Sequence, residues 1–186
     1  RSLHVRYVLG SECWQWPNGA LAMSMSRLKA AAFASKAIYE SQPGNVEGQG
    51  AEFWKYYLMT DQREWMFVCP SCNHRQPWLW DYVRFPEGAK MIDGWDLEAV
   101  QKGTTYECSK CRHRMEDNDE VRTICNEVER GAGFEPTAKA EKAGYVGLHV
   151  NALASTSWGS LAVDMIKAKE SAETVSYTHL TLPTKR

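Results

Sequence analysis

Four cysteines stand in two matched pairs, Cys69-Pro-Ser-Cys72 and Cys108-Ser-Lys-Cys111. Each pair runs on into the same short signature, Asn73-His74-Arg75 in one case and Arg112-His113-Arg114 in the other. A Cys-x-x-Cys turn aims two thiolates at one point, and two such turns supply the four ligands of a tetrahedral Zn²⁺ site. The repeated frame predicts two similar knuckles facing each other across one metal, as in a zinc ribbon, with Cys69, Cys72, Cys108 and Cys111 as ligands. Four thiolates leave no open position for a catalytic water, so the chemistry is that of a structural metal. His74 and His113 are then surplus as ligands. Iron takes the same four-thiolate set, and the sequence alone does not separate the two metals. Adjacent Cys-x-x-Cys pairs are rarely structural disulfides, and the chain has neither a signal peptide nor a secreted-type cysteine density. A thioredoxin-like redox pair occurs once, not twice in matching frames.

Zn²⁺ with four thiolates carries a formal charge of −2. Arg75, Lys110, Arg112 and Arg114 each lie within three residues of a ligand. They can offset that charge and donate towards sulfur, or they can contact phosphates. The sequence leaves both roles open.

These ligands need strands to carry them. Trp65-Met-Phe-Val68 runs into the first knuckle and Thr104-Thr-Tyr106 into the second. Positions 73 to 107 hold 35 residues, longer than the roughly 15–20 of a compact site, so an enlarged hairpin is expected. Gln76 to Trp80 and Tyr82 to Phe85 read as strand within it, and Pro86-Glu-Gly88 and Asp93-Gly94 as turns. Upstream, Val5 to Leu9 and Lys36 to Tyr39 read as strands, Arg27 to Ala34 as a short helix or loop, and Ala51 to Met59 as an aromatic-rich helix. Downstream, Asp117 or Asn118 can cap a helix on which Val121, Ile124, Cys125 and Val128 form one stripe, ended by Gly131. Ala143 to Val150 alternates as a strand, and Ser157 can cap a final helix with Leu161, Met165 and Ile166 on one face. His149 reads as a satisfied, half-buried residue.

The chain of 186 residues has a formal net charge of −1 and is 44% hydrophobic. That permits one or two domains with a real core and argues against a uniformly basic nucleic-acid coat, though not against a local basic face. No apolar run reaches membrane-span length. Metal-binding cysteines point to a reducing, cytosolic setting, with Cys13 and Cys125 left over as core residues. There is no Gly-x-x-x-x-Gly-Lys-Ser/Thr phosphate loop, no Gly-x-Ser-x-Gly elbow and no His-Glu-x-x-His. The tail 175–186 has no helical period and resembles the read-through of a sequencing adapter; it is set aside as non-native.

The run Ser41-Gln-Pro-Gly44, Glu47-Gly48, a helix with Phe53-Trp54, Asp61-Gln-Arg63-Glu64-Trp65 and then Cys69-Pro-Ser-Cys72 is distinctive. With the later Gly144-Tyr-Val-Gly-Leu-His-Val-Asn-Ala-Leu153 and Trp158, it resembles the large subunit of the tailed-bacteriophage terminase, GpA type, over roughly residues 5 to 172. The resemblance implies an α/β fragment: the C-terminal edge of a P-loop-type ATPase domain (1–60), a β-rich zinc-ribbon-like segment (61–116) and an α+β connector leading to a nuclease domain (117–174). It implies an ATP- and Mg²⁺-dependent motor that packages double-stranded viral DNA into a prohead and cuts concatemers. It also implies the terminase small subunit, the prohead portal and further copies of the chain as partners, in the host cytoplasm with no membrane. Ser41 and Gln42 fall where that family carries its ATPase coupling motif. The phosphate-loop lysine, the Mg²⁺-binding acidic strand and the nuclease carboxylates are expected outside these residues, so the fragment alone is expected to be inactive. A free-standing zinc-ribbon module that binds nucleic acid, with Trp78 and Trp80 available for stacking, is the rival class. An iron redox protein is a second rival.

Overall fold

The structure is a computed structural model and describes residues 5–31, 33–42 and 50–170. The tail 175–186 and most of the glycine run from Gly44 to Gly50 lie outside the described residues. The chain is mixed α/β with several small sheets, and it divides into two compact units. Among the described residues, the first holds those up to Asp61 together with Ala140–Tyr145. The second holds Gln62–Lys139 and everything from Val146 onward.

The first unit is built on a parallel strand pair, β1 (Tyr7–Gly10) and β2 (Lys36–Tyr39), in register from Tyr7 opposite Lys36 to Gly10 opposite Tyr39. Parallel strands need a crossover, and the crossover carries helix α1 (Ala20–Ser26). Arg27 to Ala34, expected as helix or loop, follows that helix and contributes only a 3₁₀ turn at Lys29–Ala31. The helix starts earlier because Gly19, at φ +85°, turns the chain and Leu21 is buried beneath it. Gly10 permits close packing: a Cβ there would sit 2.7 Å from the Tyr39 ring and 2.9 Å from Cys13 Sγ. Helix α2 (Ala51–Leu58) follows, with Glu52 accepting from the Gly19 N–H at 2.7 Å. Tyr7, Leu9 and Ile38 on the strand pair stay exposed, although parallel sheets are normally covered on both faces.

The second unit centres on β3 (Arg63–Val68). It pairs antiparallel with β4 (Arg75–Pro77) and β10 (Gly133–Pro136), and parallel with β11 (Leu148–His149). A second sheet runs β5 (Val83–Arg84), β8 (Thr105–Glu107), β9 (Arg114–Glu116). The connection from β5 to β8 carries a small hairpin, β6 (Lys90–Met91) with β7 (Gly94–Trp95), and helix α3 (Leu97–Gly103). Helices α4 (Asp119–Cys125) and α5 (Trp158–Glu170) complete the unit.

The strand expected over Gln76–Trp80 stops at Pro77, which has no N–H to continue a ladder, and Trp80–Tyr82 form a 3₁₀ turn. Helix α3 was not foreseen, though Asp96 caps it by accepting from the Ala99 N–H at 2.9 Å. The helical stripe does not extend to Val128. Asn126 ends the helix, its amide donating to Arg122 O at 2.8 Å and accepting from Trp65 Nε1 at 2.7 Å, and Val128 lies exposed in a 3₁₀ turn. Asn118 caps α4, while Asp117 reaches across to accept the first N–H of α5, that of Trp158, at 2.6 Å. Of the alternating run 143–150 only Leu148–His149 pairs, and Val146, Leu148 and Val150 face outward.

The main core joins Phe67, Trp78, Tyr106, Met115, Cys125, Leu153, Trp158 and Leu161. The segments expected as ribbon and connector therefore share one core: Trp78 and Tyr106 meet Trp158 at 5.5 and 5.6 Å between ring centroids. A satellite core of Ala89, Val100, Ala162, Val163 and Ile166 lies between α3 and α5. Gly159 lets the two helices approach, since a Cβ there would fall 1.9 Å from Gln101 O.

Candidate metal centre

Both Cys-x-x-Cys turns leave a strand end in the same way. In the first, Cys69 N donates to His74 O at 2.9 Å and Asn73 N to Cys69 O at 3.0 Å. In the second, Cys108 N donates to His113 O at 2.9 Å and Arg112 N to Cys108 O at 3.1 Å. The residue that closes each turn is left-handed, Asn73 at φ +55° and Arg112 at φ +64°. Asparagine tolerates that conformation; arginine adopts it only where its surroundings hold it there. Matching sequence frames thus fold to matching knuckles.

The knuckles face each other. The sulfurs of Cys69, Cys72, Cys108 and Cys111 all lie within 4.8 Å of one another. Cys69 Sγ stands 3.8 Å from Cys111 Sγ, and Cys72 Sγ 3.8 Å from Cys108 Sγ. A tetrahedron of sulfurs about 2.3 Å from a central ion has edges of about 3.8 Å, so the donor set fits a four-thiolate metal ion. Neither His74 nor His113 belongs to the cluster.

The surroundings treat the four thiols unequally. Burial pushes the Cys69 thiol up to about 12. Burial also acts to raise Cys108, but the N–H groups of Cys111 and Lys110 and the Gln76 amide outweigh it and bring that thiol down to about 6. Four thiolates this close repel one another, so the cluster holds its full negative charge only around a cation.

Gln76 was not singled out by sequence. It sits on β4, 4% exposed; its Nε2 donates to Cys108 Sγ at 3.2 Å and its Oε1 accepts from Ser109 N at 2.9 Å. One side chain on the first knuckle's strand thereby holds the second knuckle. No local pattern signals this, because Gln76 and Cys108 are 32 residues apart.

Glu107, just before the second knuckle, is the other group the sequence hid. Arg84 meets it twice, Nε at 3.3 Å and Nη2 at 3.1 Å; Arg112 Nη1 donates to it at 2.7 Å, and Arg114 Nε stands 3.8 Å away. The Arg84 guanidinium first, then that of Arg112, holds the Glu107 carboxyl below its usual range. Three guanidinium groups face one carboxylate, and Lys110 in the same knuckle is exposed. Arg112 and Arg114 keep 67% and 57% of their side chains in solvent. Arg75 is placed differently: its Nε donates to Gly131 O at 2.7 Å and its Nη2 to Gly133 O at 3.3 Å, and it pairs with Glu135. It ties β4 to the turn before β10.

Elsewhere, Ser41 stands two residues past β2, its hydroxyl accepting from the Trp14 N–H at 2.8 Å, and Gln42 is exposed beside it. Trp78 is 2% exposed and stacked on Phe67 with centroids 3.7 Å apart, so it has no free face for a base. His149 is half-buried, its Nδ1 4.0 Å from Glu64. Cys13 and Cys125 are both buried. Among the described residues no helix is long and apolar enough to cross a membrane.

The family model of the phage terminase large subunit gpA, ATPase domain, matches residues 1–132. The chain belongs to that family. The match runs through both knuckles and α4, so the cysteine cluster lies within the matched stretch. No curated protein and no solved structure matches the chain. Membership makes it part of a phage DNA-packaging motor and does not favour a free-standing binding module.

Proposed function

We propose that this chain is the end of a terminase ATPase domain (1–60), a zinc-bearing segment (61–116) and the connector towards a nuclease domain (117–174). The observation that carries the packaging reading is the family match over residues 1–132, which takes in a cysteine cluster of tetrahedral spacing; the boundaries at 60 and 116 rest on the sequence pattern alone. In the whole protein, ATP and Mg²⁺ drive double-stranded viral DNA into a prohead and a nuclease cuts the concatemer. The small subunit, the portal and further copies of the chain are its partners, in the host cytoplasm. The exposed parallel pair β1–β2 supports its being the edge of a larger ATPase sheet. Ser41 and Gln42, which follow β2 in the chain, serve as the coupling motif that reports the state of bound nucleotide. The sequence carries no Gly-x-x-x-x-Gly-Lys-Ser/Thr phosphate loop, and the segment is inactive alone.

Zn²⁺, held by Cys69, Cys72, Cys108 and Cys111, supplies a covalent-like cross-link between two strand ends. Gln76 fixes the register of the two knuckles, and Glu107 holds Arg84, Arg112 and Arg114 on one side of the metal. Arg112, Arg114 and Lys110 then offer a small cationic surface to the DNA backbone, whereas Arg75 serves the β4–β10 packing. Elemental analysis of the purified chain tests the centre: one zinc per chain in a colourless protein is expected, and a coloured, reducible iron protein overturns it. Salt-dependent duplex binding that weakens in Arg112→Ala and Arg114→Ala tests the DNA surface.

A further inference from the structure

A cavity of about 200 Å³ opens in the second unit, lined by Trp80, Phe85, Trp95, Met165, Ile166 and Lys169. Three of its walls are aromatic and nearly perpendicular. Trp80 meets Phe85 at 75° with centroids 6.4 Å apart, and Phe85 meets Trp95 at 89° and 5.1 Å. The inner faces of these rings cover the satellite core, which does not account for the open space between them. Neither the Trp80 nor the Trp95 indole N–H bonds to another described residue. Lys169 lines the cavity, and Lys90 Nζ lies over the Trp95 ring, 6.0 Å from its centroid. The hairpin that carries Lys90 and Trp95 also presents Met91 and Ile92 at its tip, 55% and 102% exposed. Apolar side chains of this kind enter between base steps.

Aromatic walls favour a flat π-faced ligand, and the two ammonium groups favour one tethered to anions and disfavour a cation. An unpaired base on its phosphodiester backbone has both properties. We propose that this cavity holds an unpaired base of a single DNA strand, its face on one of the rings of Trp80, Phe85 and Trp95 and its edges against the others, with Lys169 and Lys90 on the neighbouring phosphates. The choice of DNA rests on the packaging role proposed above; the shape and charge of the cavity do not depend on it.

The test is fluorescence anisotropy of the full chain with labelled oligothymidylate, an abasic strand of the same length, and the matching duplex, with ATP as competitor. The intact strand should bind at least ~10-fold tighter than the abasic one. Trp95→Ala and, separately, the surface change Lys169→Ala should each weaken it several-fold, with metal content and circular dichroism unchanged, and ATP should not compete. An iodouracil strand should photo-crosslink to the peptides bearing Trp80, Phe85 or Trp95, a readout that needs no variant to fold. Equal binding of intact and abasic strands, no effect of either variant, or full competition by ATP overturns the cavity. Duplex binding that still depends on Arg112 would then leave the knuckle's DNA contact standing. Absence of all nucleic-acid binding overturns both.

Discussion

The Gln76 carboxamide donates to the Cys108 sulfur across 3.2 Å while accepting the backbone N–H of Ser109 at 2.9 Å. Outer hydrogen bonds of this kind fix a ligand's orientation and the charge it carries. Gln76→Leu keeps the volume, strands the Ser109 N–H and removes the donor to sulfur. Metal affinity should fall ~10–100-fold, read by competition with a chromophoric chelator. Gln76→Glu should fall further, because it brings a carboxylate against a thiolate. Unchanged affinity in both would reduce Gln76 to a packing residue.

Metal removal should be felt well beyond the knuckles. Phe67 and Val68 lead into one and Tyr106 into the other, and all three are fully buried, so loosening the cysteines loosens the main core. Chelation should lower the melting temperature by about 10 °C or more, and zinc should restore it. With metal bound, alkylation should reach none of the six cysteines. After chelation under native conditions it should reach Cys72 and Cys111 before the buried Cys13 and Cys125, as peptide mass spectrometry would show.

Gly159→Ala tests the approach of α3 to α5. In an exposed helix this exchange stabilises. Here the new methyl would lie 1.9 Å from Gln101 O, and backbone cannot swing aside as a side chain can. The variant should lose about 1–3 kcal/mol by urea unfolding. A gain in stability would show that the helices do not meet as described.

Cys125 sets a dependence on alkaline pH. Burial pushes its thiol up to about 11, from 9.0. Below pH 9 both folded and unfolded chains keep the proton, and this group adds no slope. As pH rises through the interval up to about 11, the unfolded chain gives up a proton that the folded chain retains, so stability falls. Urea midpoints across that range should drop more steeply in the parent chain than in Cys125→Ala, where the group is gone.

Arg112 and Arg75 are expected to part company. Arg112→Ala leaves Glu107 still paired with Arg84 and should reduce duplex affinity and its salt dependence by about one phosphate contact. Arg75→Ala removes the tie to Gly131, Gly133 and Glu135. It should lower thermal stability with little change in salt dependence. Titrations at several salt concentrations separate the two.

The cysteine frame was legible because a knuckle is local: four residues, a left-handed fifth and a returning strand repeat in sequence as they repeat in space. The strand running into each knuckle was legible for the same reason, as was α2. What surrounds the cysteines was not. Gln76 and Arg84 gain their roles from contacts made across 23 or more residues, and nothing in their neighbours marks them. The expected base-stacking face of Trp78 vanished because tertiary packing turned that ring onto Phe67, while Trp95, which sequence reasoning passed over, came to line an open cavity. By itself the sequence determined two matched thiolate turns and their family resemblance, since those depend on residue type and short spacing. Only the tertiary structure decided that α5 closes the core beneath both knuckles, and which arginines are committed and which still face water, since burial and pairing are set by segments distant along the chain.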